Sequence, residues 1–132
     1  MKPAIVKPKK PTHLESTLQI HCVKWLNLAY PKLAPLCFAI PNGHKRSKIT
    51  AAILKREGVR AGVADLFFAK AKYLDINNSK WLDKHGLFIE MKVGKGKQTD
   101  AQLAFEKAVT EQGYAYRVVR TFDEFKLIIE NW

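Results

Sequence analysis

The chain has 132 residues and a hydrophobic content of 47%, which fits one domain with a modest core and excludes disorder of the whole chain. Its 23 Lys and Arg residues outnumber its 12 Asp and Glu residues, for a formal net charge of +11. This excess favours a polyanionic partner, with nucleic acid first and an anionic membrane surface second, while no apolar run approaches the length of a membrane span.

The N-terminal residues 1–11 carry lysines and prolines without the apolar stretch of a signal peptide. We expect them to form a flexible basic arm ahead of one domain over residues 12–132. Cys22 and Cys37 lie in apolar runs, which is typical of reduced, buried thiols in a cytosolic protein. The four histidines show no zinc-ligand spacing with each other or with the cysteines.

A capping-box pattern at Thr12 and Glu15 predicts a helix that continues to about Ala29, where Pro31 ends it. Gln19 lies one turn after Glu15, near the edge of the apolar face of this helix. Capping alone is a sufficient explanation for Glu15.

The next segment predicts a buried strand over Leu36–Ile40, closed by the turn Pro41-Asn42-Gly43. A basic loop follows, and Ser47 then caps a short helix over Lys48–Glu57 that Gly58 ends. The basic residues of this part are also explained as an ordinary solvated surface.

A second apolar strand is predicted over Leu66–Ala69, with Asp65 at its entry. An aspartate in that position is often a turn residue that bonds its own backbone. Residues 70–85 are polar and predict a long connection between two strands. We expect Trp81 and Leu82 to fold this connection back onto the body of the domain.

The most unusual stretch is a short apolar run, Leu87–Ile89, that leads directly into Glu90 and Lys92. Strand side chains alternate, so Glu90 and Lys92 share one side while Met91 points to the other. Burying both charges is costly unless a site uses them. A flexible basic loop, Gly94–Lys97, comes next. The alternative is a surface strand with a local charge pair.

Two further capping boxes, at Thr99 and Thr121, predict the last helices, and a strand over Tyr114–Val119 separates them. The helix at Thr99 is expected to run to about Gln112, before Gly113. The element order α-β-α-β-β-α-β-α predicts an α/β fold with a central mixed sheet covered by helices.

Asp65 and Glu90 are predicted to converge, because the start of one antiparallel strand neighbours the end of the other. Two carboxylates about 4 Å apart repel by roughly 4 kcal/mol at an effective dielectric near 20, so a proton or a cation is needed. Oxygen ligands suit Mg²⁺ or Mn²⁺ rather than zinc. A phosphodiester is the substrate that fits such an ion beside Lys92 in a basic chain.

This pattern resembles the PD-(D/E)xK nuclease superfamily, and more narrowly the VRR-NUC (virus-type replication-repair nuclease) family. The resemblance covers roughly Thr12 to the C-terminus. Its five blocks are Glu15 with Leu18-Gln19, then Pro41-Asn42-Gly43, then Gly58-Val59-Arg60-Ala61-Gly62-Val63-Ala64-Asp65, then Glu90-Met91-Lys92, and Gly94–Lys97 with Gln102. One departure is Ala64, which replaces the proline that the family usually has before the aspartate.

The resemblance implies a restriction-endonuclease-like core and a role for each matched residue. The implied catalytic residues are Asp65, Glu90, Lys92 and Gln102, and the implied ligands of Mg²⁺ or Mn²⁺ are Glu15, Asp65, Glu90 and the Met91 carbonyl. We expect Arg46, Arg60, Lys95 and Lys97 to contact backbone phosphates of DNA.

The family further implies a cytoplasmic homodimer, in a bacterial or phage-infected cell, that cuts branched or structured DNA such as Holliday junctions during replication or repair. No membrane association is expected. Two alternatives stay open at this point. One is a non-catalytic nucleic-acid-binding module on the same fold, and the other is a nuclease that acts on RNA.

Overall fold

The computed structural model describes residues 13–41 and 47–132 of the chain. The helices are α1 (Leu14–Ala29), α2 (Lys48–Arg56), α3 (Asp100–Glu111) and α4 (Phe122–Glu130), with a 3-10 turn at Ala34–Leu36. The strands are β1 (Cys37–Ala39), β2 (Leu66–Phe68), β3 (Lys72–Ile76), β4 (Ser79–Lys84), β5 (Leu87–Met91) and β6 (Ala115–Val119). None of the helices in these two ranges is long and apolar enough to cross a membrane.

Four strands form a central mixed sheet in the order β1-β2-β5-β6. The strand β2 is antiparallel to both β1 and β5, whereas β5 and β6 run parallel. Helices cover the sheet on both sides, so the predicted α/β class with a central mixed sheet is confirmed. The predicted order holds for the helices and for the strands of this sheet.

The main core lies between the sheet and the helices α1 and α4. Strand residues that point to this side, such as Leu87, Ile89 and Met91, are fully buried. They pack with Cys22 and Leu26 of α1 and with residues of α4 in one apolar cluster. Burial raises the pKa of Cys22 and of Cys37 to about 11 in each case, so both thiols stay protonated at neutral pH. Both cysteines are free, as predicted.

The opposite side of the sheet packs on α3 through aromatic rings. The Phe88 ring lies edge-on to Phe105 of α3, with 5.1 Å between the ring centroids, and it also contacts Phe67 and Tyr114. Because Glu90 follows Phe88 by two residues on β5, its side chain points to this same side of the sheet. The aromatic layer therefore fixes α3 against the strand that carries the acid.

The starts of α2, α3 and α4 follow the capping patterns of the sequence with one shift. Thr99 and Gln102 form a complete capping box at α3, and Ser47 accepts a bond from the Thr50 N–H at α2. At α4, Thr121 accepts from the Glu124 N–H, but the Glu124 carboxylate accepts from the Arg120 N–H, one residue earlier than predicted.

Three sequence predictions concern residues that the structure does not describe. The arm over residues 1–11, and Asn42 and Gly43 of the predicted turn, lie outside the described ranges, as does Thr12, the expected cap of α1. The residue that caps α1 is nevertheless His13, with φ of 72° and no capping bond from its side chain, so the predicted capping box at Thr12 and Glu15 is wrong. Within the described part, α1 ends at Ala29 as predicted, and Tyr30 closes it by donating its N–H to the Leu26 carbonyl.

The connection over residues 70–85 does join two strands of the central sheet, as predicted, but it contains secondary structure that the sequence did not reveal. It forms a separate β-hairpin of β3 and β4, turned by Asn77 and Asn78 with φ of 52° and 62°. Trp81 and Leu82 do not fold back onto the body, since they are 60% and 49% exposed. Two adjacent left-handed residues suit the tight turn of a twisted hairpin, which is why the Asn-Asn pair closes it.

Candidate active site

Asp65 and Glu90 meet across two neighbouring strands, as the sequence predicted. The register pairs Leu66 with Ile89, which brings Asp65 opposite Glu90 one step further along. The Asp65 carbonyl accepts a bond from the Ile40 N–H at 2.9 Å, so the pairing with β1 extends to this residue. The Asp65 Oδ2 atom accepts a hydrogen bond from the Met91 N–H at 2.7 Å. Both acids are therefore fixed by the sheet itself.

Glu90 is buried, with only 2% of its surface exposed. Its Oε1 atom accepts a 2.8 Å bond from the Gln102 amide and lies 3.6 Å from the Lys92 ammonium. Its Oε2 atom is buried and has no hydrogen-bond partner among the residues of the two described ranges. A buried carboxylate oxygen without a partner costs stability, so this atom is suited to a ligand from outside the chain.

Burial raises the pKa of Glu90 to about 7, and the negative charge of Asp65 contributes to this shift. Glu15 adds a smaller contribution in the same direction, while the Lys92 ammonium opposes the shift. The carboxyl group of Glu90 is therefore divided between its protonated and ionised forms near neutral pH. A cation placed between Asp65 and Glu90 would favour the ionised form.

Lys92 lies on the same side of its strand as Glu90, and it is also buried at 8% exposure. Its 3.6 Å approach to Glu90 is a buried ion pair rather than a surface one. The sequence predicted this neighbouring placement of an acid and a base, and its alternative of an exposed surface strand is wrong.

Gln102 links the start of α3 to the buried acid. Its Oε1 atom accepts the Thr99 N–H at 2.9 Å in the capping box, which directs its amide nitrogen towards Glu90. A single side chain thus caps the helix and orients the carboxylate. The sequence predicted the capping box, and the family resemblance implied a catalytic role for Gln102. The structure shows that the direct contact of its side chain is with Glu90.

If the chain cleaves DNA with a divalent ion, as the family resemblance implies, Gln102→Ala should lower that cleavage by about 10- to 100-fold, because the buried carboxylate loses the donor that orients it. Initial rates on a labelled junction at saturating Mg²⁺ measure the effect. Thr99→Ala is the matched control, since it removes a cap of about 1 kcal/mol from the same helix but keeps the Glu90 contact. Equal losses in the two variants would reduce Gln102 to a helix cap.

A glycine three residues before Asp65 holds the loop against α3. Gly62 has φ of +86°, and a Cβ built there would lie 2.5 Å from the backbone carbonyl of Ala101. Only glycine fits this contact, which joins the segment leading to Asp65 to the first turn of α3, where Gln102 lies. This packing gives a physical reason for the second glycine of the Gly58–Asp65 block.

Gly62→Ala is expected to destabilise the protein by about 3 kcal/mol or more, through left-handed backbone strain and the clash with Ala101. Gly58→Ala provides the comparison, because Gly58 also has a positive φ of +105° but open space around its Cβ position. That variant should lose only the strain, about 1–2 kcal/mol. Urea unfolding measures both, and similar losses would contradict a tight contact with α3.

Glu15 approaches the site from the first turn of α1. It is exposed, and it lines a cleft of about 860 Å³ together with Asp65, Glu90 and Gln102. Gln19, one turn further along α1, lines the same cleft. Glu15 therefore faces the half-buried Asp65 and the buried Glu90 across open space. The cleft gives a substrate access to the carboxylates from solvent.

The loop after Lys92 borders this cleft. A Cβ built on Gly96 would lie 4.0 Å from Glu15 Oε1 and 3.7 Å from the Lys92 side chain. Lys95 and Lys97, both predicted to contact DNA, are exposed on this loop. The sequence did not single out Arg120, whose guanidinium donates to the Gly94 carbonyl at 3.1 Å and holds the loop in place. In the sequence it was one basic residue among many.

The other two predicted DNA contacts have different outcomes. Arg60 is exposed on the segment that leads to Asp65, so its position suits a phosphate contact. Arg46 lies outside the described residues.

Sequence reasoning also missed Tyr116, which is 6% exposed on the α3 side and accepts a 3.3 Å bond from Gln98. Burial, followed by the negative charge of Glu90, raises the pKa of this phenol, so it stays neutral.

The donor set fits a hard divalent ion that keeps part of its water shell. Across the described ranges, no three His, Cys, Asp or Glu side chains lie close enough together to hold a metal unaided. Two carboxylates do meet, and one carries a buried oxygen without a protein partner in those ranges. Mg²⁺ usually keeps several waters and takes only one or two protein carboxylates, so this arrangement meets its requirement.

Comparison with known proteins identifies the fold. The chain is similar to a solved structure of a VRR_NUC domain protein, with a TM-score of 0.71 and 26% sequence identity, over 89% of this chain and 86% of that one. No family model and no curated protein matches the sequence. The chain therefore has the fold of a nuclease family, as the sequence motifs indicated.

Proposed function

We propose that this chain is a divalent-metal-dependent endonuclease that hydrolyses phosphodiester bonds in branched or structured DNA, such as Holliday junctions. The observation that carries the proposal is the meeting of Asp65, Glu90 and Lys92 at the open end of two paired strands, with one Glu90 oxygen buried and unpartnered in the described part of the chain. The likeness to a VRR_NUC domain protein supports it.

The proposed ligands of Mg²⁺ or Mn²⁺ are Asp65, Glu90 and the Met91 carbonyl, with Glu15 reaching in from the cleft wall. A bound divalent ion lowers the pKa of water and polarises the phosphate, so no Ser or Cys nucleophile is required. Lys92 would orient the attacking water and offset the negative charge that develops on the phosphoryl oxygens. Gln102 would hold the Glu90 carboxylate in position.

The remaining basic residues would bind the DNA backbone. Lys95 and Lys97 are exposed on the loop that follows Lys92, Arg60 lies on the segment before Asp65, and Arg46 completes the proposed set. Phosphate contacts position a substrate without reading its sequence, which suits an enzyme that recognises DNA shape. The formal charge of +11 adds long-range attraction that weakens with salt.

A cleavage panel tests the proposal. Purified protein is incubated with four-way, forked, flapped, single-stranded and blunt duplex DNA, each with Mg²⁺, with Mn²⁺ and with EDTA. We expect metal-dependent cuts in at least one branched substrate and none with EDTA. Matched RNA junctions in the same panel decide between DNA and RNA. Sedimentation of the intact protein tests the further proposal that it is a homodimer with two active sites.

The rival function is a non-catalytic nucleic-acid-binding module. It is favoured by one observation, which is that Lys92 and Gln102 already contact one oxygen of Glu90, while the described ranges contain no cluster of three metal-ligating side chains. Under this alternative, the wild type binds branched DNA but cuts none of the substrates with either metal. That result would replace the enzyme proposal.

A further inference from the structure

The β3–β4 hairpin exposes far more apolar surface than an isolated pair of strands can stabilise. Five of its side chains are more than 40% exposed, and these are Tyr73, Leu74, Ile76, Trp81 and Leu82. A two-stranded hairpin is at best marginally stable in water without a covering layer. Clustered exposed apolar side chains mark an interaction surface, whereas scattered ones do not.

The apolar side chains occupy both faces of the hairpin. Leu74 lies directly opposite Trp81, and Ile76 follows on that face two residues later. Tyr73 lies opposite Leu82 on the other face. A helix or sheet that packed against the hairpin, from this chain or from another, would bury the apolar side chains of one face only. A partner that contacts both sides of a thin ribbon fits this arrangement better.

The base of the hairpin is anchored, although its outer part is not. The Trp132 indole donates to the Lys70 carbonyl at 2.8 Å, and the Lys72 ammonium lies 5.3 Å from the centre of the Trp132 ring. The hairpin connects Phe68, the last residue of β2, to Leu87, the first residue of β5, and these two residues are paired in the central sheet. The acids lie at the other end of the same two strands. The base of the hairpin, at Lys72 and Lys84, lies six residues before Glu90 along the chain, which at about 3.3 Å per residue is at most about 20 Å.

The charge around the hairpin favours a polyanion over a second copy of the chain. Residues 70–84 contain four lysines and two aspartates, and Lys80 has no carboxylate of the described residues within ion-pair distance. With four lysines against two aspartates, this segment carries a net charge of +2, so two copies of the hairpin would repel each other where they meet. A hairpin face of about 10 Å by 17 Å is also several times smaller than the about 800 Å² per partner of a standard interface.

We infer that this hairpin is a second nucleic-acid contact, in which Trp81 and its apolar neighbours stack on unpaired bases at a branch point while Lys80 and Lys72 face phosphates. Unpaired bases offer flat apolar surfaces, and aromatic side chains stack on them without regard to sequence. The inference rests on the proposed function for the identity of the ligand, and it names the substrate class as DNA with unpaired bases close to a duplex.

Binding of labelled DNA in EDTA tests the inference, with a forked duplex that has unpaired arms and a blunt duplex of equal length. Trp81→Leu keeps apolar bulk but loses the ring, and we expect it to weaken fork binding about 10-fold while leaving duplex binding within about twofold. Trp81→Phe keeps a ring and should retain most of the affinity for the fork. Leu127→Ala, at a 61% exposed position on α4, is the surface control and should change neither.

Three results would overturn the inference. These are unchanged fork binding in Trp81→Leu, an equal loss on fork and duplex, or a loss of self-association in Trp81→Leu by sedimentation, which would identify a second copy as the partner of the hairpin. The proposed function is tested separately, by metal-dependent cleavage. If fork selectivity is lost in Trp81→Leu but the wild type cuts nothing, the hairpin contact stands and the enzyme proposal fails. If the wild type cuts normally and Trp81→Leu binds the fork unchanged, the enzyme proposal stands and the hairpin contact fails.

Discussion

Glu90→Gln is expected to reduce metal-dependent cleavage by about 10³-fold or more while DNA affinity stays within about twofold of the wild type. The amide keeps the size of the side chain and its contact with Gln102, but it cannot carry the negative charge that a divalent ion requires. Single-turnover cleavage of a junction at saturating Mg²⁺, beside binding in EDTA, separates the two effects. Lys92→Met should cause a similar loss of cleavage, since it retains the buried stem without the ammonium.

The control for this prediction comes from the loop that follows Lys92. Lys95→Met removes an exposed charge three residues after Lys92, so it should weaken DNA binding modestly and leave the cleavage rate of bound DNA nearly unchanged. Circular dichroism verifies that each variant folds. Full cleavage by Glu90→Gln would exclude this carboxylate as a metal ligand and would require another centre for the chemistry.

The convergence of the two acids could be predicted because it depends only on strand direction. Once Asp65 opens one strand and Glu90 ends its antiparallel neighbour, the sheet brings them together whatever surrounds them. The helix starts at Ser47 and Thr99 could be predicted for a similar reason, because each capping bond joins residues only three positions apart in the sequence. Features set by short-range geometry are therefore the ones that the sequence predicted correctly.

The features that sequence reasoning missed depend on contacts between distant segments. The hairpin has apolar residues on both faces, so its strands lack the one-sided alternation that identifies a half-buried strand. Its Asn77-Asn78 turn was the one signal that could have revealed it. The bond from Gln102 to Glu90 depends on how α3 packs near Gly62, and no local pattern specifies that distance.

The stability of the metal-free protein is expected to fall as pH rises from about 5 to about 8, because of Glu90. Its pKa is about 7 in the folded state and 4.5 when unperturbed, so between these values the folded protein holds a proton that the unfolded chain lacks. The stabilisation is complete below pH 4.5 and is lost as pH rises through 7. At 1.36 kcal/mol per pKa unit, a shift of this size corresponds to about 3 kcal/mol.

Urea unfolding in EDTA at pH 5 and pH 8 measures this loss against two variants. Glu90→Gln cannot ionise, so it should lack the decrease and be the more stable protein at pH 8. Glu111→Gln removes an exposed carboxylate on α3, with 62% of its side chain accessible, and should follow the wild type. Saturating Mg²⁺ should restore wild-type stability at pH 8, because a cation beside Asp65 stabilises the ionised form of Glu90. A wild type with the same pH dependence as Glu90→Gln would mean that the buried acid is already ionised at pH 5.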